Sequence, residues 1–311
     1  RQVRLMNQHA ESIEAQFGVR KCGFASASAE YWGFQVSGEG RRPTPEKLKQ
    51  LKDWPDYVCI EDVRSHVHYV EYLKEFIPDL PEIIFPLRKY LKKGADFREY
   101  EADFAAHSAR ERLVGVVADR CTLIQPDWKA AADPFNSGRP LEAFEDASDF
   151  GWCVVLTQRL KEFGTPQIIA MAVRSFTTTQ MRWSTLEREF FGYSKGLQKL
   201  ESWFKGFLVL LWTDHLNTTF INALSGSRRV SKKITNLALE VVDIPHLRLW
   251  RKGTTNILAD VPSRWSSHHG KINDLVRKLP LPPLRIYDVI RQILPSPRGV
   301  RGSDGAVSYT H

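Results

Sequence analysis

Cysteine is scarce in this sequence, with 4 residues among 311. The cysteines lie far apart and form no Cys-x-x-Cys pair, at positions Cys22, Cys59, Cys121 and Cys153. This spacing predicts neither a zinc knuckle nor a disulfide framework. So little cysteine is typical of proteins in a reducing compartment, and we therefore expect an intracellular protein.

Long apolar runs are also missing. The longest run, "FLVLLW" at 207–212, is too short to cross a membrane, and the opening residues "RQVRLMNQHAES" contain no signal-peptide core. We therefore expect no membrane partner and no secretion. The first residue is not Met, so the sequence reads as a piece of a longer protein.

Acidic residues are outnumbered by basic ones. The sequence has 44 Lys and Arg against 36 Asp and Glu, a net charge of +8 and a pI near 9.3. This balance favours a polyanion such as nucleic acid as the partner. With 311 residues, 42% of them hydrophobic, the chain is long enough for two or more modules.

Turn and linker signals divide the chain into five parts: a β-hairpin, a small helical module, a connecting segment, an α/β domain and a basic tail. Their predicted bounds are 1–40, 41–95, 96–140, 141–266 and 267–311. The aromatic residues of "AEYWGFQVSGEG" predict the hairpin, and Thr44 is a favourable N-cap ahead of Pro45 for the helical module. The turn residues of "PDWKAAADPFNSGRP" predict an irregular connection.

The fourth part has the periodicity of an α/β domain. Four strands are predicted. The first runs from Leu141 into Asp146, the second follows a short turn at Asp149 to Gly151, and the third and fourth are "QIIAMAVRSF" and "FLVLLWTD". Between the last two, apolar residues recur at helical spacing in "STLEREFFGYSKGLQKLESWF", which predicts an amphipathic helix. Three meandering strands, a helix and a fourth strand indicate a layered α/β fold.

Two glutamates near the start of this helix differ in their geometry. Ser184 and Glu187 have the spacing of a capping box, in which the carboxylate binds back to the start of the helix, so Glu187 has a sufficient local role. Glu189 has no such role and lies on the border of the predicted buried face. A glutamate at such a border is more often a solvated neighbour of the core than a ligand, and spacing alone leaves both interpretations open.

Carboxylates stand where several of the predicted elements begin or end. Asp146 lies near the end of the first strand and Asp214 ends the fourth, while Glu189 lies in the first turns of the helix. A fourth acid, Asp260, lies in "NILADVPSRW". Clustered carboxylates repel one another unless divalent cations neutralise them. Oxygen ligands suit Mg²⁺ or Mn²⁺, and two such ions about 4 Å apart stabilise the attacking and leaving oxygens of phosphodiester cleavage. For Asp214 taken alone, an aspartate that ends a strand by bonding local backbone explains the sequence equally well.

Six segments, taken in order, match motifs of one protein family. They are "YWGFQVSGEG", "VRSHVHYVEYLKEFIPDLPEIIFPLRKYLKK", "FEDASDFGWCVVLTQ", "RWSTLEREFFG", "LLWTDH" and "LRLWRKGTTNILADVPSRW". The first two resemble the end of a reverse transcriptase palm and its thumb, and the other four resemble the ordered motifs of ribonuclease H. From Cys22 to about Trp265 the chain therefore resembles the Pol polyprotein of gypsy-type long-terminal-repeat retrotransposons.

The resemblance implies a ribonuclease H-like mixed sheet with flanking helices, preceded by a β-hairpin and a small helical thumb module. It implies metal-dependent endonucleolytic hydrolysis of the RNA strand of an RNA·DNA hybrid, with two Mg²⁺ or Mn²⁺ ions. The acids expected to bind the metals and carry catalysis are Asp146, Glu189, Asp214 and Asp260. The implied partners are the hybrid, an upstream polymerase domain and a downstream integrase of the same polyprotein, in the cytoplasm, a virus-like particle or the nucleus.

Some positions depart from the family pattern. The Tyr-x-Asp-Asp polymerase signature is absent, so we expect no DNA synthesis by this chain alone. Glu145 replaces a usual Thr beside Asp146, and Val-Pro replaces a usual Ala-Leu after Asp260. His66 and His68 replace a usual Phe and Gly, as surface or packing variants. These departures keep a second hypothesis open, that of an inactive remnant that only binds nucleic acid or tethers neighbouring Pol domains.

A basic segment in "SGSRRVSKK" is a candidate contact to the backbone of the hybrid. It consists of Arg228, Arg229, Lys232 and Lys233. Ordinary solvated charge explains these residues equally well.

Overall fold

The computed structural model describes residues 2–15, 26–77, 79–115, 122–161, 164, 166–215 and 231–250. A small antiparallel sheet, a group of short helices and a five-stranded mixed sheet follow one another along the chain. Within the described residues, no helix is both long enough and apolar enough to span a membrane.

The small sheet confirms the predicted hairpin and extends it. Its strands are β1 (Ser28–Tyr31), β2 (Phe34–Ser37) and β3 (Gly40–Pro43), and both pairings are antiparallel. The third strand was not predicted. It forms because Gly40 adopts φ +134°, which lets the chain turn back. Only glycine fits at this position, since a Cβ would lie 2.1 Å from the carbonyl oxygen of Leu123. A helix that was not predicted, α1 (Gln2–Ser12), precedes the sheet.

The helical group occupies the predicted thumb and connection. Its helices are α2 (Pro45–Lys52), α3 (Ile60–Tyr72), α4 (Leu80–Ile84), α5 (Phe97–Glu101), α6 (Phe104–Gly115), α7 (Trp128–Ala132) and α8 (Pro134–Ser137). The 3₁₀ turns Lys74–Phe76 and Phe85–Leu91 lie on either side of α4. Thr44 caps α2 as predicted, since its side chain accepts a hydrogen bond from the Lys47 N–H.

The connection is more regular than its turn residues indicated. Residues 126–140 contain α7 and α8 because two aspartates act as N-caps instead of ending structure. Asp127 accepts a hydrogen bond from the backbone N–H of Ala130, and Asp133 accepts one from that of Asn136. The basic tail at 267–311 lies outside the described residues.

His66 is a packing residue, which is one of the two roles, surface or packing, that the sequence indicated. The ring lies on α3 with no exposed surface and stacks on Trp54, with ring centroids 4.4 Å apart. The Tyr57 hydroxyl shares a hydrogen bond with His66 Nδ1 at 2.5 Å. His68, two residues further on, is a surface residue.

The five-stranded sheet confirms the four predicted strands and adds a fifth. Its strands are β4 (Leu141–Ala147), β5 (Gly151–Arg159), β6 (Pro166–Ser175), β7 (Val209–Thr213) and β8 (His246–Trp250), in the order β6-β5-β4-β7-β8. The first three strands form an antiparallel meander, whereas β7 pairs with β4 and β8 with β7 in parallel. The strand β8 was not predicted, because five residues at a sheet edge carry too little periodicity of their own.

The long helix α9 (Thr185–Phe204) covers one face of this sheet. Its buried side is the predicted apolar stripe, which includes Phe190, Tyr193 and Leu197. The helix lies very close to β5, because a Cβ at Gly196 would be only 2.1 Å from Val154 Cγ2. A shorter helix, α10 (Lys232–Leu239), packs beside α9.

The helical group covers the other face of the sheet. One buried apolar cluster contains Val67, Leu80 and Ile84 from the helical group together with Phe144 and Trp212 from the sheet. The helical group and the sheet therefore share this buried cluster. Both faces of the sheet are packed, and its strand ends are held in place from two sides.

Candidate metal centre

Two parallel strands end at the same edge of the sheet, each beside a predicted site acid. The last register pair of β4 and β7 is Phe144 with Trp212. Two positions further along each strand stand Asp146 and Asp214. Because the strands are parallel, both carboxylates lie at the edge where the strands end. The fold thus brings together two acids that are far apart in the sequence.

The third acid reaches this edge from α9. Glu189 lies in the first turns of the helix and is only 5% exposed. Glu189, Asp214 and His215 each offer one ligand atom, and these three atoms lie within 4.8 Å of one another. Asp214 and His215 are nearer the surface than Glu189. Such a group is able to hold a small divalent cation.

The electrostatics of Glu189 fit a cation site. Burial raises the pKa of Glu189 well above its usual range, and the negative charges of Asp146, Glu145 and Asp214 raise it further. The positive charge of Arg248 acts in the opposite direction. Among these charges Asp146 has the largest effect on the pKa of Glu189. Asp146 is not a member of the group of three residues whose ligand atoms lie within 4.8 Å of one another in the described structure. A cation close to Glu189 would act in the same direction as Arg248 and favour the ionised carboxylate.

Glu145 and Arg248 form a buried ion pair beside these acids. The Arg248 Nη2 group donates a hydrogen bond to Glu145 Oε1, and the two side chains are 4% and 2% exposed. Burial raises the pKa of Glu145, and the charge of Arg248 lowers it. The sequence indicated Glu145 as an extra charge near the metals, but its partner was missed because β8 was not predicted.

Glu187 has the local role that its spacing predicted. Its carboxylate accepts a hydrogen bond from the Ser184 N–H at 3.1 Å, and its own N–H donates to Ser184 Oγ at 3.3 Å. Lys233 Nζ lies 3.0 Å from Glu187 Oε1, and this contact lowers the pKa of Glu187. Glu187 therefore lies beside a positive charge, whereas Glu189, two positions further on, is buried beside negative charges.

The other predicted site residues fall partly outside the described part of the chain. Asp260, Arg228 and Arg229 lie outside it. Lys232 is exposed at the start of α10, whereas Lys233 is held by Glu187 and lies 4.0 Å from the centroid of the Trp183 ring. Of the basic segment, the described structure thus shows one exposed lysine, Lys232, and one paired lysine, Lys233.

His215 is the site residue that sequence reasoning did not assign. The only signal for it was its position directly after Asp214, within the motif "LLWTDH". The strand end is fixed by local hydrogen bonds, since the His215 N–H donates to Thr213 Oγ1 at 3.1 Å and Trp250 Nε1 donates to the Asp214 carbonyl at 3.0 Å.

Comparison with known sequences identifies one family. Residues 136–242 match the family described as an RNase H-like domain found in reverse transcriptase. The chain is 28% identical, over 81% of its length, to the Pol polyprotein from transposon gypsy of Drosophila melanogaster, and covers 24% of that protein. It is 23% identical, over 84% of its length, to the Pol polyprotein from transposon opus of the same organism, and covers 26% of that protein. The chain thus spans about a quarter of the length of these relatives.

Comparison with solved structures supports the same fold. A foamy viral protease-reverse transcriptase in complex with double-stranded DNA matches 81% of this chain and 51% of its own, with a TM-score of 0.56 and 17% identity. The same kind of protein in complex with an RNA/DNA hybrid matches 76% of this chain and 30% of its own, with a TM-score of 0.55 and 17% identity. The ribonuclease H-like mixed sheet with flanking helices is therefore confirmed.

Proposed function

Because the chain belongs to the Pol polyproteins of gypsy-type retrotransposons and carries their reverse transcriptase RNase H-like region, we propose that it is a ribonuclease H. It hydrolyses the RNA strand of RNA·DNA hybrids endonucleolytically and depends on divalent metal ions. The observation that carries this proposal is the group of ligand atoms from Glu189, Asp214 and His215 at one sheet edge. Asp146 lies near the end of the neighbouring strand at the same edge, and its charge is among those that raise the pKa of the buried Glu189.

The acids at this edge are the proposed ligands of two Mg²⁺ or Mn²⁺ ions. Asp146, Glu189 and Asp214 would bind them, and Asp260 would complete the set. When bound, such ions stabilise the attacking and the leaving oxygen of a phosphodiester. The protein contributes rigid placement, since Asp146 and Asp214 belong to paired strands and Glu189 to a helix whose start is capped by Ser184.

The substrate follows from the charge of the chain and its family. The net charge of +8 suits a nucleic acid, and the basic segment would bind phosphates of the hybrid beside the start of α9. A hybrid is distinguished from duplex DNA by its 2′-hydroxyl groups in the minor groove. Since the chain covers about a quarter of its relatives, we propose that it acts inside the cell with an upstream polymerase domain and a downstream integrase.

The experiment that tests this function uses the two neighbouring glutamates as a matched pair. The full chain, Glu189→Gln and Glu187→Gln are incubated with a hybrid labelled on each strand, in Mg²⁺, Mn²⁺ or EDTA. We expect the parent to cut only the RNA strand, and only with metal. Glu189→Gln should lose cleavage by orders of magnitude, because it removes a ligand charge while keeping the shape of the side chain.

Measurements of stability distinguish a variant that has lost a metal ligand from a variant that has lost its fold. Because the pKa of Glu189 is raised in the folded protein, its ionised form destabilises the metal-free protein at neutral pH. In EDTA, Glu189→Gln should therefore melt at or above the temperature of the parent. Glu187→Gln keeps a capping side chain but loses the charge pair with Lys233, which costs about 1 kcal/mol. Its cleavage rate should stay near that of the parent.

Two outcomes would contradict the proposal. Should Glu187→Gln be the inactive variant and Glu189→Gln the active one, the assignment of the metal ligands is wrong. Should the parent bind the hybrid tightly without cutting it in either metal, the chain is a nucleic-acid-binding remnant and no ribonuclease.

A further inference from the structure

A buried positive charge lies beside the proposed metal centre. Arg248 is on β8, its side chain is 4% exposed, and its partner Glu145 directly precedes Asp146 on β4. Its guanidinium carbon lies 4.9 Å from the ring centroid of Phe190, the residue directly after Glu189. The positive charge of Arg248 lowers the pKa of Glu189, against the effect of the neighbouring acids. Because the side chain is buried, solvent screens its charge less than it would screen a charge at the surface.

Two elements besides its own strand hold Arg248 in place. The ion pair with Glu145 reaches across β7, because β7 lies between β4 and β8 in the sheet. On α9, the Tyr193 ring centroid lies 3.9 Å from the guanidinium carbon and the Phe190 centroid 4.9 Å. Tyr193 is itself fixed, since its hydroxyl shares a hydrogen bond of 2.6 Å with His246 Nε2. The guanidinium is therefore a fixed charge and not a mobile surface group.

The charges around the centre show what this arrangement does. Asp146, Glu189 and Asp214 supply three negative charges within the described structure. Glu145 would add a fourth at the neighbouring position of β4, where the family usually has the neutral residue Thr. Arg248 cancels this addition, so the net charge that faces a divalent cation is that of the three ligands. Without Glu145, the same Arg248 would repel the cation.

We infer that Glu145 and Arg248 are a matched pair of positioning residues, which together set the affinity of the centre for divalent cations. This inference rests on the proposed metal centre. It predicts that the replacement of Glu145 weakens cation binding, and that the further replacement of Arg248 restores it. A pair that served stability alone would show no such rescue of affinity.

The test measures Mn²⁺ binding to the full chain by calorimetry, with MnCl₂ as the probe and no nucleic acid present. Glu145→Thr, which introduces the usual residue of the family, should raise the dissociation constant about tenfold, because an uncompensated unit charge remains beside the site. The double variant Glu145→Thr/Arg248→Met should return to within about twofold of the parent, since both charges are gone.

The chain contains a matched control on the same strand. Glu142 and Arg159 form another buried ion pair, with side chains 0% and 2% exposed, at the opposite end of β4 from Asp146. Glu142→Gln should lower the urea midpoint, because it leaves Arg159 buried beside a neutral group, yet it should leave Mn²⁺ affinity unchanged. Loss of a buried pair is thereby separated from loss of charge at the centre.

The outcomes distinguish this inference from the proposed function. If the parent binds no Mn²⁺, the metal centre itself is refuted. If the parent binds Mn²⁺ but Glu145→Thr and Glu142→Gln weaken binding equally, or the double variant shows no recovery, the role of the pair is refuted. Should Glu145→Thr fail to fold, the single variant Arg248→Met decides the question. It should bind Mn²⁺ at least as tightly as the parent, and weaker binding would overturn the inference.

Discussion

The buried histidine of the thumb should make stability depend on pH between about 4 and 6.5. Burial, and then the positive charge of Arg110, lower the pKa of His66 to about 4. The unfolded chain therefore takes up a proton near pH 6.5, at which the folded chain stays neutral. Stability is fully present above pH 6.5 and falls as the pH drops toward 4.

The size of this effect follows from the shift. A pKa lowered from 6.5 to about 4 means that the free energy of unfolding falls by about 3 kcal/mol once the pH is below both values. At pH 5 the loss is about 2 kcal/mol. His66→Phe, which introduces the residue usual in the family, removes this dependence while keeping a ring against Trp54. At pH 7.5 the variant should be about 1 kcal/mol less stable, because Tyr57 loses its hydrogen-bond partner.

Urea unfolding at pH 7.5, 6 and 5 measures the effect. The free energy of unfolding of His66→Phe, relative to that of the parent, should rise by about 2 kcal/mol between pH 7.5 and pH 5. Asp79 and Glu82, whose pKa values are raised by burial to about 6 and about 7, act in the opposite direction but equally in both proteins. His68→Phe is the control at an exposed position and should follow the parent. If the two proteins differ in unfolding free energy by the same amount at pH 7.5 and at pH 5, His66 is not a neutral, buried histidine.

Two further predictions concern the shared core and the basic segment. A fragment of residues 136–268 lacks the helices that cover Phe144 and Trp212, so we expect it to aggregate and to bind an apolar dye that the full chain does not bind; a monomeric fragment with cooperative unfolding would show that those helices are dispensable. Neutralising the whole basic segment should make the slope of log K against log salt concentration for hybrid binding less steep, by roughly 0.7 to 0.9 per lost phosphate contact. Fluorescence anisotropy in increasing KCl measures this slope, and an unchanged slope would show that the segment does not contact the hybrid.

Features that depend on neighbouring residues were predictable from the sequence. The capping box of Ser184 and Glu187 and the apolar stripe of α9 involve residues three or four positions apart, so the helix start and the two glutamate environments followed from helical geometry. Strands β4 to β7 were predicted for the same reason, since each carries its own periodicity. Glu189, expected at the border of the buried face, is itself buried, with 5% of its surface exposed.

Features that depend on distant partners were not predictable. Strand β8 exists because it pairs with β7, and Arg248 is buried because Glu145, 103 positions away, neutralises it. Taken alone, "HLRLW" has two polar residues in five and resembles an exposed segment as much as a strand. Likewise, no local pattern indicates that the thumb helices share a core with the sheet. Periodicity identifies an apolar face, but not the surface against which it packs.

The acids at the sheet edge show how the fold supports a costly site. In the metal-free protein, Glu189 is buried beside like charges, and this placement reduces stability. The arrangement persists because both faces of the sheet are packed and because Gly196 lets α9 lie against β5, so that Glu189 stays buried at the edge of the sheet. An ordinary buried acid would satisfy its charge with protein groups, as Glu142 does with Arg159 and the Trp212 indole. Opposite effects of Glu189→Gln on stability and on cleavage are therefore the signature that separates a metal ligand from a structural acid in this fold.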